Sequence, residues 1–165
     1  MSRELKRFLF DRYGGFANKK LKDVERDEAF QIDDFGPEDR YHLCCHIQLR
    51  VNGDNAFELS LENIPTNREL SELIALRGPN IADGDFGTNI SLQLNLADIG
   101  FLRDLARVVR RITRRGQRYN NPNWKWVCRR TGESLERLAR YLEAYQRRRP
   151  AIPDEDDLFA LLREE

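Results

Sequence analysis

Both histidines and two of the three cysteines of this chain fall within five residues, His42-Leu43-Cys44-Cys45-His46. Imidazole nitrogen and thiolate sulfur are the common donors of a zinc site. On a strand, alternation puts His42, Cys44 and His46 on one face. Same-face neighbours are then ~6.5–7 Å apart, close enough for two of them to share a metal and wide for all three. A fourth donor would have to come from Cys128 or an acid, and the spacing fits none of the usual C-x-x-C finger patterns. The plainer expectation is a strand with small buried cysteines and part-exposed histidines. A metal-dependent enzyme at this strand, with zinc as its cofactor, is therefore the third of three function classes, and no other cofactor is expected. A Cys–His catalytic pair is disfavoured, because adjacent residues on a strand point to opposite faces.

The second chemistry is cationic. The stretch Leu96–Arg118 reads LADIGFLRDLARVVRRITRRGQR. Asp98 suits a helix N-cap, and Gly116 suits a helix end. At ~100° per residue Phe101, Leu102, Leu105, Val108, Val109 and Ile112 form one apolar face. Arg103, Arg107, Arg110, Arg111, Arg114 and Arg118 form the opposite one, interrupted only by Asp104. A solvated helix face normally mixes signs, because like charges at i,i+4 repel. Guanidinium groups are planar, multi-donor forks suited to phosphate and carboxylate. Tyr119, Trp124, Lys125, Trp126 and Arg129 follow directly, and rings interleaved with cations are the material of a single-stranded nucleic-acid surface. Against this stands the ordinary role of large aromatics at a connection, which is to anchor the next helix in the core.

The third feature is the C-terminal segment DEDDLFALLREE. Leu158, Phe159 and Leu162 would share one side of a short helix there and could dock in a partner's groove. The same segment could pack as a last helix or lay its acids over the arginine face.

These groups need elements to hold them. Residues 41–62 read as a hairpin around an Asn52-Gly53 turn, with Phe57, Leu59 and Leu61 alternating against Glu58, Ser60 and Glu62. Residues 88–95 alternate again, Ile90, Leu92 and Leu94 against Asn89, Ser91 and Gln93. A short strand around Ala29–Ile32 is compatible with the pattern. A first helix from Ser2 to about Tyr13 ends at Gly14-Gly15. A second starts at Pro65-Thr66-Asn67 with Leu70, Leu73, Ile74 and Leu76 inside, and residues 79–87 read as a loop. Helices over 97–115 and 133–148 complete the set, the last capped by Thr131. The expected fold is α+β: a small, mainly antiparallel sheet of three or four strands with amphipathic helices on one face. Residues 1–150 form one domain and 151–165 an acidic amphipathic tail.

Composition narrows the function. The net charge is zero, with 28 Lys+Arg against 28 Asp+Glu. The distribution is uneven: residues 100–149 carry 15 basic and 4 acidic side chains, residues 150–165 carry 1 and 6. No apolar run approaches the ~20 residues of a membrane span. Three cysteines and no secretory leader point to a reducing compartment, so a cytoplasmic location is expected. Asp34-Phe35-Gly36 and Asp85-Phe86-Gly87 spell the kinase metal triplet, but no glycine-rich loop, strand lysine or H-R-D accompanies them. No phosphate loop, dinucleotide fingerprint or H-E-x-x-H occurs. The leading expectation is a non-enzymatic binding module whose arginine-rich helix and aromatic loop hold a polyanion, nucleic acid first. The second is a regulatory or interaction subunit whose basic face meets an acidic protein surface or its own tail. Balanced net charge favours the second, since nucleic-acid binders are usually basic overall. Oligomeric state is not legible.

Overall fold

The computed structural model describes residues 2–17, 20–26, 28–35, 45–53, 55–84, 87–112 and 124–148. They form helix α1 (Ser2–Ala17), helix α2 (Leu21–Glu25), strands β1 (Phe30–Phe35), β2 (Cys45–Val51) and β3 (Ala56–Ile64), and helix α3 (Arg68–Ala75). Strands β4 (Asn80–Asp83) and β5 (Thr88–Asn95), a 3-10 turn (Leu96–Asp98), and helices α4 (Ile99–Arg110) and α5 (Trp124–Arg148) follow. The fold is α+β, with a five-stranded antiparallel sheet in the order β1-β2-β3-β5-β4.

Alternation divides the sheet cleanly. Ile47, Leu49 and Val51 of β2, Phe57, Leu59 and Leu61 of β3, and Ile90, Leu92 and Leu94 of β5 are buried in one core with the helices. The opposite face is polar and self-satisfied: Glu58 accepts from Ser91 Oγ at 3.1 Å and from Gln93 Nε2 at 3.0 Å. Gln31 meets His46 Nδ1 at 3.0 Å on the same face. A bulge between Gln31 and Asp33 breaks the parity of β1 and turns Asp33 toward the core.

Ion pairs and ring contacts fix the helical layer. Arg77, just past α3, reaches Asp98 before α4 at 2.5 Å, and Glu69 near the start of α3 accepts from Arg111 past the end of α4 at 2.7 Å. These two α3 and α4 therefore run antiparallel. Phe8 meets Tyr145 at 5.1 Å and Tyr13 meets Tyr141 at 5.3 Å between ring centroids, so α1 and α5 are antiparallel as well. No helix among the described residues is long and apolar enough to cross a membrane.

Several sequence expectations are corrected. Val51 pairs with Phe57 and Asn52 N–H donates to Ala56 O at 3.0 Å, so four residues connect β2 and β3 rather than a two-residue Asn-Gly turn. Asn55 O takes the Leu96 N–H at 2.9 Å, which ties this longer loop to the start of the 3-10 turn. Residues 80–83 are a strand, not loop, because they complete the β5 ladder as an edge. That makes five strands instead of three or four. Helix α1 runs through Gly14 and Gly15 to Ala17. A helical glycine costs ~1 kcal/mol, and Tyr13, packed on Phe30 and Tyr141, outweighs it. Leu76 is 91% exposed, since α3 ends at Ala75 and the chain turns away at Gly78, where φ is +58°.

The basic helix is also shorter than expected: α4 ends at Arg110, and the Arg111 and Ile112 N–H groups close a tight last turn on Val108 O and Val109 O. Asp98 does not cap α4 directly. Asn95 accepts from Ala97 N–H, and Asp98 accepts from Asn95 N–H at 2.9 Å, a reciprocal box around the 3-10 turn. Helix α5 begins at Trp124, nine residues before the expected Glu133. Thr131 is buried within it instead of capping it, and Gly132 is a contact point inside the helix.

Candidate functional site

The apolar periodicity of α4 does what it must: Leu102, Leu105, Ala106 and Val109 are fully buried, and Phe101 is half-buried under the Arg77 guanidinium. This leaves the arginines on the flanks and outer side. None of those described in α4 is bare. Arg103 reaches Glu143 of α5 at 3.0 Å, and Arg110 pairs with Glu136 one helical stretch further along the same seam. Arg107 pairs with Asp104, and Arg111 with Glu69 of α3. The carboxylates come from three helices, so the expected uniform cationic face is a row of solvent-exposed ion pairs.

Gly132 explains how α4 and α5 come close enough for this. A Cβ built on Gly132 would lie 1.9 Å from Arg110 Cγ and 2.9 Å from Ala106 O. Only a residue without a side chain admits the Arg110 stem at the crossing.

The other candidates are placed as follows. Trp124 and Lys125 open α5, their side chains outside the described set. Trp126 is 37% exposed, Arg129 is exposed, and Val127 and Cys128 turn into the core. Arg114, Arg118 and Tyr119 lie outside the described residues, as do Leu158, Phe159, Leu162, His42 and Cys44. His46 sits on the polar sheet face with Gln31. Cys128 is 1% exposed within the core beneath the helices, on the other side of the sheet, so it does not join His46 as a ligand. Burial pushes its thiol up to about 12, the opposite of what a zinc ligand or nucleophile needs. Among the described residues no three His, Cys, Asp or Glu side chains gather as a metal site.

Sequence reasoning missed the second seam of α5. At 100° per residue Arg137, Tyr141 and Arg148 share the α1-facing side of this helix, and Arg140 stands on the crest beside them. Here guanidinium groups meet rings. Arg12 lies 3.5 Å over the Phe8 ring and 5.5 Å over Tyr141, and donates to Phe8 O at 2.9 Å. Arg148 lies 5.6 Å over the same Phe8 ring. Beneath them the Tyr13 hydroxyl is buried with no hydrogen-bond partner among the described residues. Burial, then Tyr141, push its phenol up, opposed by Arg137 and Arg140. Lower still, Arg130 makes a two-pronged contact with the fully buried Asp33, 3.2 Å to each oxygen. The signal for this seam was present as Arg137, Arg140 and Arg148, spaced 3 and 8 along a helix, but only the tertiary pairing shows what they face.

Comparison with known proteins finds no matching family model, no similar curated protein and no similar solved structure.

Proposed function

We propose that the protein is a non-enzymatic binding module that holds a polyanion, nucleic acid first, on its helical layer. The observation that carries this reading is the charge of that layer: α4 and α5 together bear ten Lys/Arg against four Asp/Glu. The ion pairs along α4 are solvent-exposed, and exposed pairs contribute only ~0–1 kcal/mol each. A phosphate can therefore replace a carboxylate at small cost, and released counterions add a salt-dependent gain. The polar sheet face is a poorer platform, since Glu58 and Glu62 add negative charge there and the one ring described on it, the His46 imidazole, is engaged by Gln31.

The test is binding of the purified protein to labelled single-stranded RNA, single-stranded DNA and duplex across a salt series. Affinity that persists near physiological ionic strength supports the reading. Substitution of Arg107, Arg111 and Arg114 by Glu that leaves nucleic-acid affinity unchanged rules out α4 as its seat.

One observation favours a second reading, an interaction subunit that meets an acidic protein surface: α4 already holds carboxylates of its own chain. Deletion of residues 153–165 separates the two. A tail that masks the basic layer predicts a gain in polyanion binding, and a tail that docks predicts loss of a protein partner. The metal-dependent reading fails if protein purified without chelator carries no zinc.

A further inference from the structure

The two seams of α5 hold their arginines in different ways. Toward α4, Arg103 and Arg110 end on Glu143 and Glu136. Toward α1, the guanidinium groups of Arg12 and Arg148 lie over the Phe8 ring, and Arg137 and Arg140, one to four residues before Tyr141 on α5, make no carboxylate contact among the described residues. Glu136 and Glu143, the nearest acids in sequence on α5, are turned to α4; the other acidic side chains of these two helices are exposed ones, Glu4 and Asp11 on α1 and Glu133 on the crest of α5. Arg7, also exposed, adds a further cation on α1.

This difference decides which arginines are ready for an anion. A guanidinium paired with a carboxylate has its charge offset even where the pair is weak, and an incoming phosphate there would also face Glu69, Asp104, Glu136 and Glu143. A guanidinium over a ring, as in Arg12 and Arg148, is attracted without its charge being cancelled and keeps N–H groups for an anion, Arg12 having given one to Phe8 O. The order needed for binding is then supplied before the ligand arrives, without cancelling the charge. From Arg137 to Arg148 the row extends about 16 Å along α5 at 1.5 Å per residue, long enough to follow several phosphates of one strand.

We propose that the phosphate-contacting surface is the α1–α5 seam, formed by Arg12, Arg137, Arg140 and Arg148, and that its partner is a single nucleic-acid strand. The proposal rests on the polyanion reading above and relocates its site from α4. Trp126 and Arg129, near the start of α5, lie further along the same helix and offer a ring for an unstacked base. An anionic membrane surface fits less well. The large apolar side chains exposed among the described residues, apart from Trp126, are Leu76 and Ile81, at the α3–β4 corner, so the seam has no apolar anchor of the kind surface-bound helices use.

The experiment compares two double variants with the wild type, using a labelled single-stranded oligonucleotide across a salt series. Arg137→Gln with Arg140→Gln is expected to weaken binding and to flatten the slope of log affinity against log salt by about 1.4, at about 0.7 per lost phosphate contact. Arg107→Gln with Arg111→Gln on α4 is expected to keep the wild-type slope. Thermal unfolding of each variant checks the fold, and the exposed Arg140→Gln alone, with about half the effect, serves if the double variant is unstable. A wild-type slope in the seam variant, or loss confined to the α4 variant, overturns the proposal while the polyanion reading stands. A wild type that ignores the oligonucleotide at all but the lowest salt overturns both.

Discussion

Arg103 of α4 and Glu143 of α5 meet at 3.0 Å, and seven residues later on one helix and seven earlier on the other, Arg110 meets Glu136. The repeat is two helical turns on each side, so the two pairs report one antiparallel register. Their energetic weight is small, because all four side chains are exposed. Replacing Arg103 and Arg110 by Gln, singly or together, should cost less than about 1 kcal/mol per pair in denaturant unfolding. A larger loss would mean that charge, and not packing, sets the helix register.

The packing that does set it centres on Gly132. Replacing Gly132 by Ala should destabilise by about 1–3 kcal/mol despite alanine's better helix propensity, because the new methyl overlaps the Arg110 stem and crowds the backbone at Ala106. The check is the urea midpoint. An unchanged or higher midpoint would show that Arg110 swings aside without separating the helices.

Arg130 and Asp33 form a different kind of pair, with the carboxylate at 0% exposure in a bulged strand. Arg130→Ala should cost about 3 kcal/mol, several-fold more than Arg107→Ala, because it strips a buried charge of its two-pronged partner. Comparable midpoints for the two variants would contradict this.

Alkaline pH gives a separate handle on the core. The Cys128 thiol is pushed by burial from its ordinary 9.0 up to about 12. Below pH 9 both folded and unfolded chains keep the proton, so the contribution is intact. Above it the unfolded chain ionises first and binds fewer protons, so stability falls toward pH 12 at up to ~1.4 kcal/mol per unit. Cys128→Ala should flatten that fall between pH 9 and 10, before tyrosines add their own. An identical slope in the variant would show that the thiol ionises in place.

Residue periodicity made part of this fold legible. Strand β5 and β3 as far as Leu61 alternate as read, and the buried side of α4 matches its 3.6-residue pattern, because a half-buried element must segregate its faces. A helix was expected to start at Pro65-Thr66-Asn67, and Asn67 caps α3 there, accepting from Leu70 N–H at 2.9 Å. The edge strand β4 was not legible, since Asn-Ile-Ala-Asp is exposed throughout and carries no alternation. The start of α5 was hidden because Thr131 resembles a cap, and the reason Gly132 is glycine inside the helix lies on another helix. The same limit applies to charge. A run of arginines is visible in the sequence, but Glu136, Glu143 and Glu69 cancel those on α4 only because α5 and α3 are its neighbours.

The placement of α5 between α1 and α4 also carries a timing. Helix α4 finds α5 soon after both exist. Phe8 and Tyr13 must wait for Tyr145 and Tyr141, which leave the ribosome on the order of ten seconds later at typical elongation rates. During that interval the rings of α1 can reach Phe30 of β1 but lack their cover from α5. A nascent chain halted before residue 141 would therefore present them to any chaperone that recognises exposed aromatic side chains.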